Sequence, residues 1–82
     1  MLNDEVLEAI NKAKRIPVPV VPDSHFFMDL GLDSLGFVAF LLQLERRYTI
    51  TFDIMEIEQC VQVDRLLELI HFKVKECSHD HD

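Results

Sequence analysis

Hydrophobic residues recur along this chain at helical rather than strand spacing. Val6, Leu7, Ile10 and Ala13 fall on one face between Asn3 and Arg15 and predict a first helix, with Asn3 or Asp4 able to cap its start. Lys12, Lys14 and Arg15 suit the negative end of its dipole. That helix must stop before Pro17, because the residue ahead of a proline is pushed out of helical angles. Leu35, Val38, Leu41, Leu42 and Leu44 set a second helix from Asp33–Ser34 to near Tyr48. Asp53 to Glu58 predicts one short helical turn capped by Asp53. Leu66, Leu67, Leu69, Ile70 and Val74 then face inward from a last helix over about Val63 to Lys75, with Asp64 near its start.

The connections are as informative as the helices. Ile16 to Leu32 is stiffened by Pro17, Pro19 and Pro22, yet Val18, Val20, Val21, Phe26, Phe27, Met28 and Leu30 are too apolar for a loop left in water. The segment is expected to pack over the helices. Pro19-Val-Val-Pro22 has the PxxP form without a basic flank and reads as a rigid connector. Thr49 to Phe52 alternates polar and apolar but has no partner strand, so it reads as an extended link. The expected architecture is all-α: a bundle of three main helices plus one short helix, with a long ordered loop between the first two. One domain over residues 1–77 and a flexible polar tail over 78–82 are expected.

Composition narrows the function. At 82 residues the chain is short for most enzyme folds, and its 49% hydrophobic content is that of a globular protein. No apolar run approaches the roughly 20 residues of a membrane span. The first residues lack the basic and apolar regions of a signal peptide, so a cytoplasmic monomer is the expectation. Fifteen acidic against eight basic residues give a net charge of −7, which argues against nucleic acid. The excess acid lies away from the second helix, where Asp33 and Glu45 balance Arg46 and Arg47; Asp53, Glu56 and Glu58 follow it. Cys60 and Cys77 read as free thiols, and His25 and His71 as surface or boundary residues. Cys77, His79 and His81 alternate in the tail but would make a weak, unselective metal site, and none is expected.

The stretch that carries chemistry is Phe26-Phe-Met-Asp29-Leu30-Gly31-Leu32-Asp33-Ser34-Leu35. A serine in the first turn of a helix presents its hydroxyl beside unsatisfied N–H groups and the positive end of the dipole, a setting that favours a phosphate ester. Gly31 permits a tight turn just before it, and Leu30, Leu32 and Leu35 can anchor the turn to the core. Taken alone, Asp-Ser ahead of an apolar run is a helix cap. A nucleophile elbow is excluded because Leu32 stands where its first glycine belongs and no parallel sheet can form behind it. An EF-hand loop fails for want of further acids.

Asp29-Leu-Gly-Leu-Asp-Ser-Leu35 resembles the D-x-G-x-D-S-L signature of acyl carrier proteins. Phe26, eight residues before the serine, continues the similarity, as do Val38, Leu44, Glu45, Tyr48, Ile50, Phe52 and Val63-Asp-x-Leu66. The resemblance implies an acyl-carrier-like bundle in which a phosphopantetheinyl transferase joins 4′-phosphopantetheine to Ser34. Asp33 would support that transfer by helping to bind a divalent ion. The arm would carry acyl intermediates as thioesters between acyl-transferring synthases, in fatty-acid or specialised lipid or polyketide biosynthesis, and the bundle itself would not be an enzyme. A peptidyl or aminoacyl carrier, or a relative that keeps the fold without the arm, stays open. The sequence departs from the family where acidic docking positions of the second helix are Gly36, Ala39, Arg46 and Arg47. Docking is therefore expected to lean on hydrophobic contact through Leu35, Phe37, Val38 and Phe40, with Asp53, Glu56 and Glu58 supplying charge. Of Phe37 and Phe40, one is expected to fill the core and the other to cover it, with an outward docking role for both the competing reading.

Overall fold

Four helices, α1 (Leu2–Ala13), α2 (Ser34–Tyr48), α3 (Ile54–Gln59) and α4 (Val63–His79), close around one core in a computed structural model that describes the backbone of residues 2–79 and the side chains of residues 2–75. The all-α expectation holds, including the short helix.

α1 buries Val6 and Ile10 and rests Leu7 and Ala13 against the core, as its spacing predicts. It begins at Leu2, so Asn3 and Asp4 lie within its first turn rather than ahead of it. Asn3 Oδ1 instead pairs with Nε2 of His71, tying α1 to α4. The Tyr48 hydroxyl donates to Glu5 Oε1 at 3.0 Å and ties the end of α2 to α1. Burial first, and that hydrogen bond second, raise the Tyr48 pKa above its ordinary value.

α2 corrects the expected face. Phe37, Phe40, Leu41 and Leu44 are its buried residues, whereas Leu35 is 82% exposed and Val38 and Leu42 also face out. Both Phe37 and Phe40 are therefore core rather than docking residues. The physical reason is that α2 is apolar almost all round from Leu35 to Leu44, so periodicity alone offers two stripes. The helix buries the one carrying two phenylalanines, whose rings remove the most area from water and meet Phe26 of the loop at centroid distances of 4.9 and 6.0 Å.

The long loop is built into the core. Phe26, Leu30 and Leu32 are buried, and Phe26 N–H donates to the Val61 carbonyl at 2.8 Å. Val63 and Asp64 N–H, at the start of α4, donate in turn to the Ser24 and Pro22 carbonyls, each at 3.0 Å. Buried Ser24 is satisfied by reciprocal bonds with Val21, and an isolated antiparallel bridge joins His25 to Gln62. Val21, Phe27 and Met28 remain exposed despite the apolar character of the segment.

Beyond α2, Thr49 turns the chain with φ 56, and Ile50 and Phe52 are buried along the extended link. The Glu45 carboxylate accepts the Phe52 N–H at 2.7 Å. Asp53 caps α3 in a reciprocal box with Glu56, whose carboxylate also pairs with Lys73 of α4 at 2.8 Å. α4 buries Val63, Leu66 and Ile70, with Leu67, Leu69 and Val74 packed beside them. It stays helical through His79, past both the Lys75 end and the tail boundary after residue 77, because no glycine or proline interrupts it. Residues 80–82 of the expected tail, and the side chains of Cys77, His79 and His81, lie outside what is described. Among the described residues, no helix is long and apolar enough to cross a membrane.

Candidate functional site

The turn from the loop into α2 divides two roles that the sequence left joined. Asp33 is the N-cap: its backbone is extended (φ −98°, ψ 179°), and its Oδ1 accepts the Gly36 N–H at 2.6 Å. Ser34 is then the first helical residue. Its side chain is exposed and takes no part in the cap. A capping serine would have its oxygen tied to the backbone two or three residues on; here Asp33 performs that task and leaves the hydroxyl available.

The turn is held rigidly. Gly31 adopts φ 77, in the left-handed region that favours glycine, between buried Leu30 and Leu32. Asp29 closes the preceding loop, accepting the His25 N–H on Oδ2 at 2.7 Å. His25 Nδ1 in turn accepts the N–H groups of Phe27 and Met28. His25 thus has a structural task that its place in the sequence did not reveal.

Charge around the serine is sparse and of both signs: the Asp33 carboxylate precedes it, and Glu58 lines the groove beside it. The first turn of α2 carries no acidic residue, and the guanidinium of Arg15 lies 3.9 Å from Asp33 Oδ2. Arg15 sits beyond the end of α1, where the sequence offered only a favourable cation for that helix. No local signal marks it as a neighbour of α2.

Beside Ser34 an apolar groove of about 230 Å³ runs between α2 and α3. Phe27, Phe37, Val38, Ile57 and Val61 line it, and Glu58 stands at it as the acidic member. Phe37 is held edge-on to Phe27 with centroids 5.3 Å apart. Neither Ile57 nor Val61 was singled out from the sequence; two residues in short connecting elements have too little periodicity to show their side.

Of the expected docking residues, Leu35 and Val38 are exposed on the Ser34 side of α2, while Phe37 and Phe40 are inside. Asp53 and Glu56 are engaged in the α3 cap, and the Lys73 side chain is the first cause holding the Glu56 pKa below its ordinary value. Cys60 is buried, and desolvation pushes its thiol up to about 11, which leaves it protonated and unreactive at neutral pH.

The arrangement fits a covalent phosphate ester bearing a longer chain. It offers a free hydroxyl, helix-start N–H groups whose carbonyl partners would lie outside the helix, no acid within the first turn of α2, and a mostly apolar groove alongside.

Comparison with known proteins agrees with this geometry. Residues 4–70 match the family described as "Phosphopantetheine attachment site". Among solved structures, the chain is similar to hexanoyl ACP from the actinorhodin polyketide synthase of Streptomyces coelicolor, with a TM-score of 0.75 and 23% identity. That likeness covers 89% of this chain and 90% of the other, and it establishes the fold. No curated protein matches the sequence.

Proposed function

The chain belongs to the phosphopantetheine-attachment family, and from that premise we propose that Ser34 is the residue to which 4′-phosphopantetheine is joined. The observation that carries the reading is the Ser34 hydroxyl, exposed at the start of α2 and relieved of capping by Asp33. Ser34 Oγ gives up its proton and forms the phosphoester bond to 4′-phosphopantetheine as a phosphopantetheinyl transferase breaks the pyrophosphate bond of coenzyme A, with 3′,5′-adenosine bisphosphate as the leaving group. Asp33, whose Oδ2 lies outside the cap bond, would help hold the divalent ion that the transfer uses. When attached, the arm supplies a thiol that bears acyl groups as thioesters. The bundle contributes position and shelter rather than catalysis: Phe37, Val38, Ile57 and Val61 keep water from an apolar chain laid in the groove.

Acyl-transferring synthases are the proposed partners. Leu35, Val38 and Leu42 make an exposed apolar row on α2, and Glu58 adds charge where Glu56 is held by Lys73. A row this apolar, without the acidic positions common in the family, supports a dedicated pathway in specialised lipid or polyketide synthesis.

The decisive measurement is intact mass after incubation with a transferase and coenzyme A. The native chain is expected to gain one phosphopantetheine, and Ser34→Ala none. An unmodified native chain in the presence of a competent transferase overturns the reading.

A further inference from the structure

We propose that Arg15 is the residue that grips the phosphate on Ser34, exchanging its pairing with Asp33 for the phosphodiester once the group is attached. The inference rests on the attachment reading above and goes beyond it by assigning the anion a partner from outside α2.

Three observations bring Arg15 to this place. Its backbone N–H donates to the Leu30 carbonyl at 2.9 Å, which fixes its origin beside the turn that leads into α2. Its guanidinium reaches Asp33, the cap of that helix, with Nη1 3.9 Å from Oδ2. And Gly36 stands beside both groups: a Cβ built there would crowd Asp33 Oδ1 at 2.9 Å and lie in ordinary contact with Arg15 Nη2 at 3.5 Å. The absence of a side chain at position 36 thus protects the cap bond, and it places the guanidinium against the first turn of α2.

The existing pairing with Asp33 is loose. At 3.9 Å, with the Arg15 and Asp33 side chains 61% and 62% exposed, it is longer than a good charge-assisted hydrogen bond. Asp33 Oδ1 is already committed to Gly36 N–H, so only one carboxylate oxygen faces the guanidinium. A guanidinium has five N–H donors in a planar fork, and a phosphodiester offers two unesterified oxygens that match it. The residue next to Asp33 is the one esterified. The first turn of α2 has no acidic side chain, so the anions nearest the new charge are the cap Asp33 and Glu58 of the groove, which raises the need for a cation there. Moving from Asp33 to the phosphate also frees Oδ2, so the same arginine covers the cap carboxylate before loading and the phosphate after it.

The test compares the native chain with Arg15→Gln and Arg15→Lys, each unloaded and loaded, with loading at Ser34 verified by mass. At low salt, loading is expected to change Tm more favourably in the native chain than in Arg15→Gln by about 2–4 °C, the shift that an exposed ion pair gives a domain of this size. Arg15→Lys is expected to keep part of that difference, and about 0.5 M salt to remove it. The Arg15 Nε–Hε NMR signal is expected to move on loading. A loaded Arg15→Gln chain with the native loading-induced Tm change, and a native Arg15 signal that does not move, overturn the proposal while leaving attachment intact. Failure of the native chain to load under a competent transferase overturns the attachment reading and this proposal with it.

Discussion

A Cβ built on Gly31 would lie 2.7 Å from Ile16 Cγ1, and the backbone there stands at φ 77. Both features penalise any other residue, one through contact and one through backbone strain. Gly31→Ala is expected to destabilise the fold by about 1–3 kcal/mol in urea unfolding. Adding Ile16→Ala is expected to relieve the contact and leave the backbone part, so incomplete recovery in the double variant is the outcome that separates the two. The need for a glycine in this turn was legible in the sequence, as was the chemistry of the serine three residues later. Which of Asp33 and Ser34 caps α2 was not, because both residue types serve equally well; the backbone angles at Asp33 decide it. The place of Arg15 beside the turn was hidden for a different reason. Its neighbours there, Leu30, Asp33 and Gly36, come from another segment of the chain, beyond the reach of any local pattern.

At the scale of elements, α3 shows local rules sufficing and α2 shows them failing. Six residues make a poor helix unaided, yet Asp53 and Glu56 satisfy each other's backbone N–H groups, and the sequence announced that cap. Asp53→Ala is expected to cost about 1 kcal/mol. The pH response follows from Glu56, whose pKa is lowered first by the Lys73 side chain and then by the backbone hydrogen bond at Asp53. Because its folded-state value lies below the usual 4.5, its contribution is complete above that pH and is lost as pH falls through the folded-state value. Replacing the cation, as in Lys73→Met, is therefore expected to lower Tm at pH 7 and to make progressively less difference below about pH 4.5. A Tm difference independent of pH down to pH 3 would point instead to lost packing of the lysine stem on Phe52, over whose ring the ammonium lies. In α2, by contrast, two apolar stripes compete. Phe37 and Phe40 win the interior because Phe26 arrives from a segment outside the helix to receive them.

Across the whole molecule, the loop between α1 and α2 unites the fold with the site. Its hydrogen bonds to the start of α4 and its return at Leu30 to Arg15 hold the first helix, the last helix and the serine-bearing turn in one frame. The same frame pushes Leu35, Val38 and Leu42 outward, leaving an apolar row next to Ser34 for the proposed partners. Binding to the loading transferase is accordingly expected to change less than about threefold between about 50 mM and about 500 mM salt, since apolar burial is not screened. Leu35→Ser is expected to weaken it about tenfold, the loss that follows from exposing a buried leucine side chain. Steep salt dependence in titration calorimetry, with Leu35→Ser binding like the native chain, would instead assign docking to charge. Residues within a few positions of one another specify the helical class, the order and approximate limits of the elements, the capped short helix and the serine at a helix start, so these could be read from the chain before any contact was known. Which stripe of α2 is inside, which side chains line the groove and which cation stands near the serine emerge only once the helices and the loop are packed together. Those choices depend on surfaces brought together from distant segments, where burying the largest apolar area selects among alternatives that local spacing leaves equal.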